Sequence, residues 1–237
     1  NGNITQTGEL SVTNNASFSA GLADIVLNSH SNNFGTLSLA ASNAAVSENS
    51  SIDLKGATIG TDLTLTAAGN ITDDGAVVVA GVTTLNTGNA AAITLDDVGN
   101  DFTRIAVTSS ADTIVLNDIN AIELGAMNAA ALSVTATTNI TDSGAIVVAG
   151  ATTLNGGDNA QIILDDVGND FATLSVTSTS GTVSGSVVVN DVNSIELASI
   201  NAATLDVTAG TTISQSGDFN VSDHANFSGS ELLLNTH

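Results

Sequence analysis

One motif returns through this chain at long, nearly regular intervals, and no other feature limits the possible folds as much. Asn3-Ile-Thr-Gln-Thr-Gly8 recurs as Asn70-Ile-Thr-Asp-Asp-Gly75 and Asn139-Ile-Thr-Asp-Ser-Gly144, and a fourth copy begins at Ile213-Ser-Gln-Ser-Gly217. The lead isoleucines are Ile4, Ile71, Ile140 and Ile213, each interval slightly longer than the one before it. Self-similarity at a long period means stacked units, because each unit buries its apolar face against the next. The sequence predicts a single segment over residues 1–237, with repeats at 3–69, 70–138 and 139–212 and a partial repeat at 213–237.

Within each repeat the apolar positions alternate. Two and four residues after the marker glycine stand Leu10 and Val12, Val77 and Val79, Ile146 and Val148, then Phe219 and Val221. Later pairs behave alike: Ile25 and Leu27, Ile93 and Leu95, Ile162 and Leu164, then Ile52 and Leu54, Ile122 and Leu124, Ile195 and Leu197. Asp53, Glu123 and Glu196 separate the last three pairs, so the outward face is polar or acidic. Period-two alternation with a fixed inside is the mark of a half-buried strand, and Gly, Asn, Asp and Ser fill the turns between. Fixed repeats without tight two-residue hairpin signals favour an all-β parallel solenoid over a sandwich or propeller.

Two lanes of stacked residues are expected, Val79, Val107, Leu124, Val148 and Leu95, Leu116, Val134, Leu164. Each lane advances by one full repeat in three steps, which gives three rungs of about 23 residues per repeat and about ten rungs in the chain. Thr108–Thr113 in one repeat becomes the longer Thr177–Ser186 in the next, so that corner is expected to face solvent.

Charge excludes several functions. Lys55 and Arg104 oppose 24 acidic residues, for a net charge of −22. Such a polyanion has almost nothing with which to neutralise phosphates, so neither nucleic acid nor anionic lipid is expected as a partner. The carboxylates keep a long β surface soluble. No stretch is long and apolar enough to span a bilayer, so no membrane insertion is expected. With no cysteine the chain has no disulfide or thiolate chemistry.

The segments Leu95-Asp-Asp-Val-Gly-Asn-Asp-Phe102 and Leu164-Asp-Asp-Val-Gly-Asn-Asp-Phe171, each followed by a strand and later by a copy of the marker motif, Asn139-Ile-Thr-Asp-Ser-Gly144 and Ile213-Ser-Gln-Ser-Gly217, are similar to repeats of filamentous-haemagglutinin-like bacterial exoproteins. Many of these adhesins are exported by two-partner secretion. The resemblance extends over essentially the whole chain and is weakest in the first copy, where Asn28-Ser-His-Ser-Asn-Asn-Phe34 replaces the acidic version. It implies a right-handed parallel β-helix, extracellular at the bacterial surface, acting as the shaft of an adhesin in attachment or cell contact. A host or matrix carbohydrate or protein would then be the partner, and end-to-end stacking into a homopolymer the alternative.

The acidic turns are also the densest clusters of oxygen ligands. Asp96, Asp97, Asn100 and Asp101, with Asp165, Asp166, Asn169 and Asp170, form the candidate calcium set. The competing reading is a turn whose Asx side chains cap backbone amides. No other cofactor is expected. Phe34, Phe102 and Phe171 close the motif and are expected in the core, as is Met127. His30, His224 and His237 do not recur in the repeat and have no zinc-ligand spacing.

The chain is not expected to be an enzyme. Polysaccharide lyases and hydrolases built on β-helices are the rival class, but an active site should break the repetition, and here the carboxylates repeat with the fold. An ice- or mineral-binding face would need Thr-x-Thr on every rung. Thr64, Thr66, Thr135 and Thr137 begin such arrays, which Ser133 and Asp206 interrupt.

Overall fold

A computed structural model of the chain describes residues 2–178, 181 and 184–234, without the side chains of residues 30 and 184. The chain divides into two compact units, Asn1–Ile119 and Asn120–His237. Each is a parallel β-solenoid, without a helix among the described residues, and the two together hold about 11 turns.

In the first unit one turn can be followed from Leu63–Ala67 through Ile71–Asp73 to Val77–Asn86. Leu63–Ala67 lies on Ala44–Glu48, with Leu63 beside Ala44. Ile71 lies on Ile52 and below Ile93, and Val77 and Val79 lie on Ala57 and Ile59. The long strand Val77–Asn86 turns a corner at Ala80-Gly81, after which Thr83 and Leu85 pair with Leu63 and Leu65. Three strand lanes therefore build the wall, and every second residue of each lane points inward.

The alternating positions fill the core as their pattern requires. Ile25, Ile52, Leu54, Val77 and Ile93 have no exposed surface in the first unit, nor do Leu124, Ile140, Ile146, Ile162 and Leu164 in the second. Phe102 and Phe171 are completely buried, and Phe34 and Met127 nearly so. Phe34 meets Phe18 edge to face, with ring centroids 5.6 Å apart.

The stacking differs from the expected lanes at three of their steps. Leu116 lies on Leu95 as predicted, but Val79 lies under Phe102, and Val107 lies on Leu85. Leu124 pairs with Asp142, and Val134 with Leu154. Turns differ in length, from the short one between Ile195 and Ile213 to the long one between Leu164 and Val189. Ile4 to Ile25, Ile25 to Ala44 and Ile71 to Ile93 are typical, so a turn is shorter than a third of a repeat. One repeat thus makes about three and a third turns, not three.

The consequence is visible inside each unit. Ile4 stacks under Ile25, Ala44, Leu63 and Thr83, whereas its repeat equivalent Ile71 stacks between Ile52 and Ile93 in the next lane. In the second unit Ile140 stacks with Ile162, Val187 and Leu205, and its equivalent Ile213 lies instead between Ile195 and Leu232. Within each unit the two copies of the motif occupy different edges of the coil. The alternation survives this shift because every lane has the same inside and outside.

The recurring residues of the marker motif hold the turns together. Asn3, Asn70 and Asn139 each accept, through Oδ1, the amide one turn further on, from Asp24, Ala92 and Gln161 at 3.2, 3.0 and 2.9 Å. At two of the marker glycines a β-carbon would lie 2.7 Å from the Lys55 carbonyl oxygen, at Gly75, and 2.1 Å from that of Ala198, at Gly217, so there only glycine lets the adjacent turns approach, whereas Gly8 faces open space. Of the longer loop in the third repeat, Gly181 is exposed with φ of +76°, and residues 179, 180, 182 and 183 lie outside the described residues.

Candidate functional site

The polar residues that recur with the repeat meet at one corner per copy. In the second copy, strand Ile93–Leu95 ends and the chain turns through Asp96–Asn100 into strand Asp101–Val107. Asp97 accepts the Gly99 amide at 2.8 Å, and its carbonyl receives the Asn100 amide, so the turn closes on itself.

Asn100 then points inward and is completely buried. Its Nδ2 donates to Asp73 Oδ2 at 2.6 Å, and its Oδ1 accepts the Val77 amide at 2.7 Å. Asp73 accepts the Asp96 amide at 3.0 Å. One turn further on, Asp118 Oδ2 accepts the Phe102 amide at 2.7 Å, and Ile119 donates to the Asn100 carbonyl at 2.8 Å. A buried Asn and two buried carboxylates thus satisfy backbone amides where the wall bends and its ladder is interrupted.

The second unit repeats this arrangement. Asn169 is completely buried, donates to Asp142 Oδ2 at 2.7 Å and accepts the Ile146 amide at 2.8 Å. Asp142 takes the amides of Asp165 and Asp166, Asp166 takes that of Gly168, and Asp191 takes those of Phe171 and Asn193.

The first copy has the same corner with neutral groups in most places. Asn32 is completely buried and accepts the Leu10 amide at 3.0 Å, with Gln6 in the place of Asp73 and Glu48 in that of Asp118. Its Nδ2 donates to the carbonyls of Leu27 and Ser47 and to Gln6 Oε1.

Burial pushes the carboxyls of Asp73, Asp142 and Asp191 above the usual aspartate range, and the hydrogen bonds they accept oppose that shift. Glu48 is raised to about 7 by burial, opposed by the Phe34 amide and the Ser50 hydroxyl.

The candidate calcium ligands are therefore placed unequally. Asp96 and Asp165 are exposed, Asp97, Asp101, Asp166 and Asp170 are half-buried, and Asn100 and Asn169 face the interior with both ends of the amide engaged. Among the described residues no group of three or more His, Cys, Asp or Glu side chains gathers as metal ligands do. Val98 and Val167 occupy the turn tips and are 83% and 84% exposed. His224 lies on the surface beside Asp223, His237 lies outside the described residues, and Lys55 is paired with Asp74.

Sequence reasoning missed Gln6, Asp73 and Asp142, and Glu48, Asp118 and Asp191. The available signal was their spacing, since Asp73 precedes Asn100 by 27 residues and Asp142 precedes Asn169 by the same number. No curated protein and no solved structure matches the chain. A family model described as repeats of unknown function matches residues 1–40, 41–109, 111–179 and 184–237, the middle two segments being equal in length, and the chain belongs to that family, DUF5649.

Proposed function

We propose that this solenoid is a structural shaft segment of an extracellular bacterial surface adhesin, without enzymatic activity. The observation that carries the reading is the use made of the recurring polar groups. Asn100, Asp73 and Asp118, and their counterparts Asn169, Asp142 and Asp191, spend their hydrogen bonds on the chain's own amides. Chemistry that repeats with the fold and is consumed by it builds a wall. The similarity of the acidic turns to filamentous-haemagglutinin-like repeats supplies the location, and the net charge of −22 suits a surface that must not associate laterally.

The rotation of the repeat supports the same reading. Within each unit the two copies place equivalent residues on different edges, so identical groups do not line up along one face there as a face-binding protein needs. The outward ladder of Ala45, Thr64, Thr84 and Ala106 illustrates this, with threonine giving way to alanine on either side.

Protease treatment of intact bacteria that make the protein tests the reading. Release of its peptides into the medium, with a cytoplasmic marker retained, is expected. Peptides protected until the cells are lysed would overturn it.

A further inference from the structure

Besides its neutral Gln6, the first corner differs from the acidic corners in having one more methylene at the buried carboxylate that holds the phenylalanine amide. Asp118 and Asp191 accept the amides of Phe102 and Phe171 at 2.7 Å. Glu48 in the equivalent place accepts the Phe34 amide at 3.3 Å through Oε2, which also receives the Ser50 hydroxyl at 3.3 Å. Its Oε1 is buried without a hydrogen-bond partner, although the residue is only 5% exposed. A charged oxygen in that position carries a full desolvation cost, and protonation removes it.

The strands packed against Glu48 bring no lysine or arginine to oppose the charge. Strand Ile25–Ala41 contributes Asn32 and the Phe34 amide, and its own titratable residue in this region is His30. Strand Leu63–Ala67, on the other side, contains no titratable residue and places Ala67 beside Glu48. Gln6, which meets Asn32, is neutral.

We propose that Glu48 is a proton-operated latch that tightens the first corner as the surroundings become mildly acidic. With its carboxyl raised from the ordinary 4.5 to about 7, the folded corner binds a proton that the opened corner releases throughout that interval. Stability is therefore gained as pH falls through about 7, is complete below the ordinary glutamate range, and is lost as pH rises. This is opposite in sign to the usual acid loosening of proteins, and it acts on one corner of the first unit.

Site-resolved amide exchange, corrected for the intrinsic pH dependence of exchange, tests it. Protection of the Phe34 amide should rise roughly 25-fold between pH 8 and pH 5.5 in the wild type. It should stay flat in Glu48→Gln, and in Glu48→Asp the rise should begin at lower pH. Histidine titrates in the same interval, so His30→Asn should keep the wild-type response. A flat wild-type profile, a Glu48→Asp profile that coincides with the wild type, or loss of the response in His30→Asn would each overturn the proposal. Should Glu48→Gln not fold, the Glu48→Asp profile decides alone.

Discussion

Two corners of the first unit do the same job with different chemistry. At one, Asn100 is clamped by Asp73, and Asp118 holds Phe102; at the other, Asn32 is clamped by Gln6, and Glu48 holds Phe34. Both fix a buried asparagine whose Oδ1 receives an amide from the preceding turn, Val77 in one case and Leu10 in the other. Gln6 also donates to the Gly8 carbonyl, a bond that Gln215 reproduces with Gly217. The difference teaches that the fold needs a buried asparagine with a partner at this bend, and that charge on the partner is optional. Acidity at the second corner is then a matter of strength, since a hydrogen bond to a charged group is worth about twice a neutral one.

The largest effects should come from breaking the clamps. Asn100→Ala leaves the buried Asp73 without its amide donor and the Val77 amide without an acceptor, and should cost roughly 3 to 5 kcal/mol in urea unfolding. Asn32→Ala removes several bonds but strands no charge, and should cost about 2 kcal/mol. Equal losses at the two corners would break the comparison.

A smaller contrast lies at the amide latches. Asp118→Ala and Asp191→Ala strip the amides of Phe102 and Phe171, at about 2 kcal/mol each by thermal or chemical unfolding. Glu48→Ala, measured at pH 8 where the glutamate is mostly ionised, should cost clearly less, because the bond it removes is long and the charge it removes is poorly solvated.

Two core threonines sharpen the account from the other side. Thr83 and Thr152 occupy equivalent inward positions, are at most 1% exposed, and have hydroxyls without partners. Thr83→Val and Thr152→Val should each stabilise by about 1 kcal/mol.

The smallest effect should be that of calcium. With the Asn100 and Asn169 amides turned inward and engaged, about 1 mM calcium should change stability by about 0.1 kcal/mol or less, the increment for a site with a dissociation constant of about 10 mM. A melting temperature that rises by several degrees, or heat in calorimetry at that concentration, would establish the turn carboxylates as a metal site.

Much of the wall was legible in the sequence. Alternation at Ile52-Asp53-Leu54 or Ile122-Glu123-Leu124 states which residues face inward, because that depends only on local geometry. The pairing of lanes was not legible. Val107 has an equally good apolar partner in Val79 or Leu85, and the choice depends on how many residues each corner consumes. The corner itself escaped for a related reason. Asp73 and Asn100 meet across one turn, 27 residues apart, and nothing local to either residue announces the other. The acidic turn drew attention because its carboxylates crowd one short loop, whereas the structural carboxylates are those that follow Ile-Thr or precede the exposed Ile119 and Val192.

Amide exchange at Val77, Phe102, Ile146 and Phe171 in calcium-free buffer tests the central claim most directly, that the recurring polar residues hold the wall itself. The account predicts protection at these four amides comparable to that of ladder amides such as Leu65 and Leu154, with Val77 alone losing it in Asn100→Ala. Exchange at loop rates in the wild type, or protection that appears only when calcium is added, would contradict it.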